Sequence, residues 1–223
     1  MNIKIAVASN VSFYHLTLPI ILPSLIESGI DPLDIHVFIG GYPHYKLEVK
    51  DDIQYHYLDH NSYEYSPLIE ICDKKNLWAS SEYWFLIHDT CKVGAMFKEL
   101  LYNIPENKPE KLALKTRPCM SMGSYRSDYL VSQKDRILSI KNQDYSEESM
   151  NKWKEWGVPN EDFIMWLTDP QPITYNNNND WRVVAYENWY ETGTIRRTEY
   201  YSSSDLYKNK SNWGQSHKLI RNI

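Results

Sequence analysis

Short apolar runs alternate with longer stretches of helical periodicity along this chain, and its first forty residues set the theme. Ile3-Lys4-Ile5-Ala6-Val7-Ala8 reads as a buried parallel strand that stops at the polar pair Ser9-Asn10. Leu16, Ile20, Ile21, Leu25 and Ile26 follow at helical spacing on one face, with Gly29 placed to end the helix. Pro19 and Pro23 interrupt that stretch; one suits a first turn and the other predicts a kink. Asp34-Ile35-His36-Val37-Phe38-Ile39 is a second apolar strand, closed by Gly40-Gly41. Strand, helix, strand is the order of a parallel sheet with crossover helices.

The pattern continues with a third strand over Ile53–Leu58, which Gln54 and His56 mark as an edge or half-exposed one. Asp59-His60-Asn61-Ser62 is a polar cluster ahead of the helical Pro67–Ile71. Tyr83-Trp84-Phe85-Leu86-Ile87 is the most apolar run, expected as the central strand, and it ends at His88-Asp89-Thr90. Thr90 is placed to cap a helix carrying Val93, Met96, Phe97, Leu100 and Leu101. A strand over Lys111–Lys115 and a helix over Ser127–Leu138 follow. Asp144 and Glu147 resemble a capping box before a Met150, Trp153, Trp156 stripe. Asn160-Glu161-Asp162 opens a further helix that ends at Asp169-Pro170. Arg182–Tyr186 reads as a late strand, and from Thr192 onward a loop-rich tail is expected.

Charge narrows the function. Twenty-four basic against 29 acidic residues give a net −5, which argues against a nucleic-acid partner held by bulk electrostatics. No run reaches the roughly 18 apolar residues of a membrane span, and no basic-then-apolar leader opens the chain, so a cytoplasmic protein is expected. Cys72, Cys91 and Cys119 have no metal-site spacing and suit a reducing compartment. Eighteen Tyr and 8 Trp against 8 Gly are the compositional anomaly. It reflects either an AT-rich genome or sugar recognition, to which flat aromatic faces with polar tips are suited.

Ligands of open α/β sheets bind at the carboxyl ends of the strands. Those ends are Ser9-Asn10, Gly40-Gly41, Asp59–Ser62 and His88-Asp89-Thr90. Neither a G-x-G-x-x-G fingerprint nor a phosphate-cradling loop is present, so a bound pyrophosphate needs another counter-charge. A divalent cation on a carboxylate is the usual one. Asp89 is the candidate, with capping of the next helix as the competing role.

Strand, helix, Ser-Leu-Ile-x-Ser-Gly, strand, Gly-Gly and an aromatic strand ending in an acidic motif together resemble the GT-A glycosyltransferases. The resemblance covers the first ~130 residues in layout and is strongest to small single-domain members from large viruses and bacteria. It implies a mostly parallel Rossmann-type sheet within one domain, residues 1–118 binding the nucleotide sugar and 119–223 the acceptor. Tyr83–Thr90 matches the place of the family's Asp-x-Asp motif, but only Asp89 supplies a carboxylate. The resemblance further implies Mn2+ or Mg2+ on Asp89, completed by His217, with Lys218 at the diphosphate; His88, beside the apolar strand, is either a further ligand or hydrogen-bonded in place. Ser9, Asn10, Asp59 and Asn61 would contact the nucleoside, uridine being the commonest. Gly123 would let the backbone approach a sugar, and Arg126 would contact diphosphate or acceptor. An inverting enzyme also needs a carboxylate base, for which Asp128, Glu161 and Asp162 are candidates.

The expected function is thus metal-assisted transfer of a sugar from a nucleotide-sugar donor to a glycan hydroxyl. The alternatives are a non-enzymatic carbohydrate-binding protein and a nucleotidyltransferase on a similar sheet. Tyr83, Trp84, Phe85, Trp153 and Trp156 are expected in the core. Tyr125, Trp181, Trp189, Tyr190, Tyr200, Tyr201 and Trp213 are expected to meet sugar.

Overall fold

The computed structural model describes residues 1–114, 122–141, 181–187, 189–190 and 196–211. Its strands are β1 (Ile3–Asn10), β2 (Ile35–Gly40), β3 (Lys46–Lys50), β4 (Ile53–Leu58), β5 (Tyr83–His88), β6 (Cys91–Val93), β7 (Lys111–Ala113), β8 (Gly123–Arg126), β9 (Trp181–Ala185), β10 (Arg196–Tyr201) and β11 (Leu206–Ser211). Its helices are α1 (Tyr14–Glu27), α2 (Ser66–Asp73), α3 (Lys75–Trp78), α4 (Phe97–Tyr102), α5 (Ser127–Ser132) and α6 (Lys134–Ile140). Among the described residues, seven strands form one sheet in the order β3-β4-β2-β1-β5-β8-β7, and four form a second in the order β6-β11-β10-β9. β1 pairs in parallel with β2 and β5, and β2 with β4. β3, β8 and β7 each join antiparallel to a neighbour. β1, β2, β4, β5 and β7 therefore run one way and β3 and β8 the other, an α/β architecture on a mixed sheet.

Alternation along the inner strands sends side chains to two cores. Ile3, Ile5 and Val7 of β1, with Val37, Ile39, Phe85 and Ile87, pack under Leu18, Ile21 and Leu25 of α1. Ala6 and Ala8 face the other way, with Phe38, Trp84 and Leu86, against Leu68 and Ile71 of α2. Burying Leu18, Ile21, Leu22 and Leu25 contributes about 6–12 kcal/mol at ~1.5–3 kcal/mol each. That equals or exceeds the roughly 6 kcal/mol that the two interior prolines cost at roughly 3 kcal/mol each. Both Pro19 and Pro23 lie inside α1 rather than one in its first turn. Both are exposed, as is His15, so the carbonyls of His15 and Pro19, which lose their helical N–H partners, lie on the solvent side of the helix. The apolar face is also rotated from the expected one: Thr17 and Leu18 are buried, while Ile26 is 43% exposed.

Other expectations shift in informative ways. Ile53–Leu58 is a strand with those bounds, but β3 covers it and occupies the edge, so His56 is buried. The β3–β4 hairpin turns on Asp51 and Asp52, both at positive φ (51° and 63°), as a two-residue turn of the type I′ kind requires. Thr90 caps no helix: the chain enters β6, and α4 begins only at Phe97. The Ser127–Leu138 helix is two, parted at Gln133. The tail after Thr192 contains the β10–β11 hairpin, joined by the four residues Ser202–Asp205. The helices expected around Asp144–Trp156 and Asn160–Leu167 lie outside the described residues. Among the described residues no helix is long and apolar enough to cross a membrane.

Candidate functional site

β1 has β2 on one side and β5 on the other. The helix leaving β1 (α1) covers one face of the sheet, and α2, which precedes β5, covers the opposite face. The winding therefore reverses at β1, and the carboxyl ends of β1 and β5 flank a topological switch point, where such sheets bind ligands. Registers Ala8↔His88, Asn10↔Gly40 and Gly40↔Leu58 align the strand ends. Ser9, Asn10, Asp59, Asn61 and Asp89, all expected from the sequence, thus share one edge of the sheet.

Asp89 is the hub of that edge. It is only 8% exposed, and its backbone N–H donates to the Ala8 carbonyl at 3.0 Å. The Ser9 hydroxyl donates to Asp89 Oδ2 at 2.5 Å and the Thr17 hydroxyl donates to the same oxygen at 2.8 Å. Thr17 Oγ1 also lies 3.1 Å from the Phe13 carbonyl, and its one hydrogen favours the shorter, charge-assisted contact. Burial pushes the Asp89 carboxyl above its usual range, opposed by the two hydroxyls, the charge of Lys208 and the Thr90 backbone N–H. Helix capping is excluded as its role, because the next residues enter β6. Thr17 was not anticipated; its signal is a hydroxyl at a buried position of an otherwise apolar helix face.

Lys208 is the second residue the sequence reading missed. β11 pairs with β6 so that Lys208 sits opposite Cys91, and the Asn209 N–H donates to the Thr90 carbonyl at 2.9 Å. This tie brings Lys208 Nζ to 2.7 Å from His88 Nδ1. Lys208 is 8% exposed, and burial lowers its basicity. An ammonium only donates, so while Lys208 is charged His88 accepts at Nδ1 and carries its ring hydrogen on Nε2.

The loops beside them are tightly held. Asn10 Oδ1 accepts from the Ser12 N–H at 3.0 Å, and the Gly41 N–H donates to the His60 carbonyl at 2.9 Å. A Cβ on Gly40 would stand 3.0 Å from both that carbonyl oxygen and Asn61 Oδ1. Behind the loop, His60 contacts Ser62 Oγ through Nδ1 (3.0 Å) and Glu70 through Nε2 (3.3 Å). Asp59, half exposed, pairs with Lys141 at 3.6 Å.

Other expected site residues are not brought to this edge. Arg126 pairs with Tyr83 at the amino end of β5. Asp89 is six residue steps along the chain from Tyr83, about 20 Å at about 3.3 Å per residue. Arg126 Nε instead donates to Asp128 at 2.5 Å and its Nη1 to the Lys108 carbonyl at 2.5 Å. Asp128 stands at the start of α5 at that same far end. Gly123 is enclosed between β5 and β7 rather than open to a sugar. Glu161, Asp162, His217 and Lys218 lie outside the described residues.

A hard divalent cation needs several converging oxygen or nitrogen donors. Among the described residues no three His, Cys, Asp or Glu side chains converge on a point. Asp89 Oδ2 is already occupied by two hydroxyls, and His88 Nδ1 faces an ammonium. The described donor set does not fit Mn2+ or Mg2+.

Three of the expected sugar-facing aromatics, Tyr125, Tyr190 and Tyr201, are buried, while Trp189 and Tyr200 stay partly exposed. Trp213 lies outside the described residues, and of Trp181 the backbone strand alone is described. Tyr83, Trp84 and Phe85 are in the core as expected. The second sheet aligns Lys92, Tyr207, Tyr200 and Arg182 in one row across its four strands. Tyr200 and Tyr207 lie 4.6 Å apart, Lys92 lies over Tyr207 (5.6 Å) and Trp189 (4.7 Å), and Arg182 over Tyr200 (6.0 Å).

No protein-family model matches this chain, and no curated protein matches it significantly.

Proposed function

We propose that this chain is a glycosyltransferase of GT-A type that binds a nucleotide sugar, uridine-diphosphate-linked, in the β1/β5 crevice and transfers the sugar to a glycan hydroxyl. The observation that carries the reading is a buried carboxylate, Asp89, held by Ser9 and Thr17 at the switch point of the sheet. Burying a carboxylate costs several kcal/mol, and a fold rarely bears that cost at a ligand-binding edge without a use for the charge. Asn10, Asp59 and Asn61 form the rim that would hold the nucleoside, with Ser9 buried beneath it on Asp89. The half-exposed row Lys92-Tyr207-Tyr200-Arg182 supplies aromatic faces for a glycan acceptor. Transfer with inversion and a carboxylate base among Glu161 and Asp162 belongs to the proposal.

The aromatic row also supports a second reading, a carbohydrate-binding protein without catalysis. A panel of nucleotide sugars, scored for hydrolysis with and without Mn2+, separates the two. Turnover of one donor supports the transferase. No turnover and no nucleotide binding, together with binding to glycans that Tyr200→Ala abolishes, supports the binding protein.

A further inference from the structure

Among the described residues, three buried groups of titratable side chains stand out beyond those the proposed function uses. One is the line from half-buried Lys4 Nζ to the buried His36 (3.3 Å), on to buried His56 (3.1 Å) and out to the exposed Tyr45 hydroxyl (3.3 Å). Another is buried Glu199, paired with Arg197 and Lys210. Both are satisfied within themselves. The third, Lys208, differs: no carboxylate among the described residues lies within ion-pairing distance of its ammonium, although the residue is more than nine-tenths buried.

We propose that the Lys208 ammonium, braced by His88, is the phosphate-binding group of this edge, taking the donor's diphosphate where a divalent cation was expected. The identity of the donor rests on the transferase reading; the anion site does not. Asp89, Glu64 and Glu199 act on this ammonium only at longer range; a buried cation with no anion in contact is costly, and an anion entering beside it reduces that cost. Location selects the anion. Lys208 is tied through Asn209 to Thr90 and through its own side chain to His88, the residues on either side of Asp89. A diphosphate lodged at that crevice meets the Asp89 carboxylate, so a cation must stand beside the two negative groups. Other cations are committed elsewhere: Lys210 to Glu199, Lys141 to Asp59 and Lys74 to Glu70. Lys92, nearer the surface, lies over the Tyr207 and Trp189 rings, which leaves Lys208 as the buried cation of this edge with no carboxylate in contact among the described residues. Its orientation is set by β-pairing, since a one-residue slip of β11 against β6 would turn the side chain to the opposite face.

Calorimetric titration with inorganic pyrophosphate and with UDP, in EDTA, tests this on the wild type, Lys208→Met and Lys208→Arg. Wild type is expected to bind both probes without metal. Lys208→Met is expected to bind about tenfold or more weakly, and Lys208→Arg to recover part of the loss. Binding that appears only with Mn2+, or that Lys208→Met leaves unchanged, overturns the proposal. Lys208→Met removes a buried amine but also a charge that favours the ionised Asp89 carboxyl, so its fold is checked by circular dichroism before titration. Should it fail to fold, the wild type decides: pyrophosphate in EDTA must raise its Tm, and no rise overturns the inference. The two readings fail separately. Pyrophosphate binding through Lys208 without consumption of any nucleotide sugar keeps the anion site and removes the transferase. Nucleotide-sugar turnover that is indifferent to Lys208→Met does the reverse.

Discussion

Replacing Thr17 with valine keeps the shape of the side chain and deletes one of the two hydroxyls that hold Asp89. Thr17 is 3% exposed, so water does not replace the lost donor. The bond removed is a 2.8 Å contact to a carboxylate oxygen, a class that contributes about 1.5–3 kcal/mol. The added methyl recovers little, because the helix face is already packed. A loss of about 2 kcal/mol lowers the Tm of a chain this size by about 4–8 °C. The same substitution in an Asp89→Asn background removes only a bond between neutral groups, about 0.5–1.5 kcal/mol. Urea denaturation of wild type, both single variants and the double variant closes the cycle, with about 1 kcal/mol of coupling expected at pH 8. A coupling indistinguishable from zero would refute the claim that Thr17 is there to hold a buried charge.

Other consequences follow from the same geometry. Burial alone would raise the Glu70 carboxyl, but its bonds from His60 and Lys74 outweigh that and hold it at about 2 instead of 4.5. The resulting stability, about 3 kcal/mol at most, is present above pH 4.5 and lost as pH falls from there toward 2. Urea midpoints of wild type should therefore fall more steeply than those of Glu70→Gln across that window, and parallel curves would contradict the assignment. Gly40→Ala forces a Cβ against the His60 carbonyl and Asn61, so it should weaken nucleotide binding several-fold in calorimetry; unchanged affinity would remove that loop from the site. Asp128→Asn and Arg126→Ala, at the far end of β5, should leave UDP affinity within about twofold.

The parallel core was legible because its strands are buried on both faces and read as unbroken apolar runs, Ile3–Ala8 and Tyr83–Ile87 above all. Asp89 was legible for the same reason, as the carboxylate at the end of such a run. β3, β10 and β11 escaped because strands such as Lys46-Leu47-Glu48-Val49-Lys50 alternate with charge, and Leu47 and Val49 remain exposed on the edge. Lys208 looks like a surface lysine until its pairing with Cys91 turns it inward. Arg126 and Asp128 show the limit of proximity arguments: the residues after Gly123 lead away from the site because β8 runs antiparallel to β5, and strand direction leaves no mark in a short sequence.

The most direct test of the transferase account is nucleotide-sugar turnover by wild type and Asp89→Asn under conditions where both are shown folded. An amide at this position still accepts the Ser9 and Thr17 hydroxyls and sheds the cost of a buried charge. Asp89→Asn should therefore melt at or above the wild-type temperature at pH 8 while donor hydrolysis and sugar transfer fall by about 100-fold or more. Turnover at the wild-type rate in a folded Asp89→Asn protein would contradict the account.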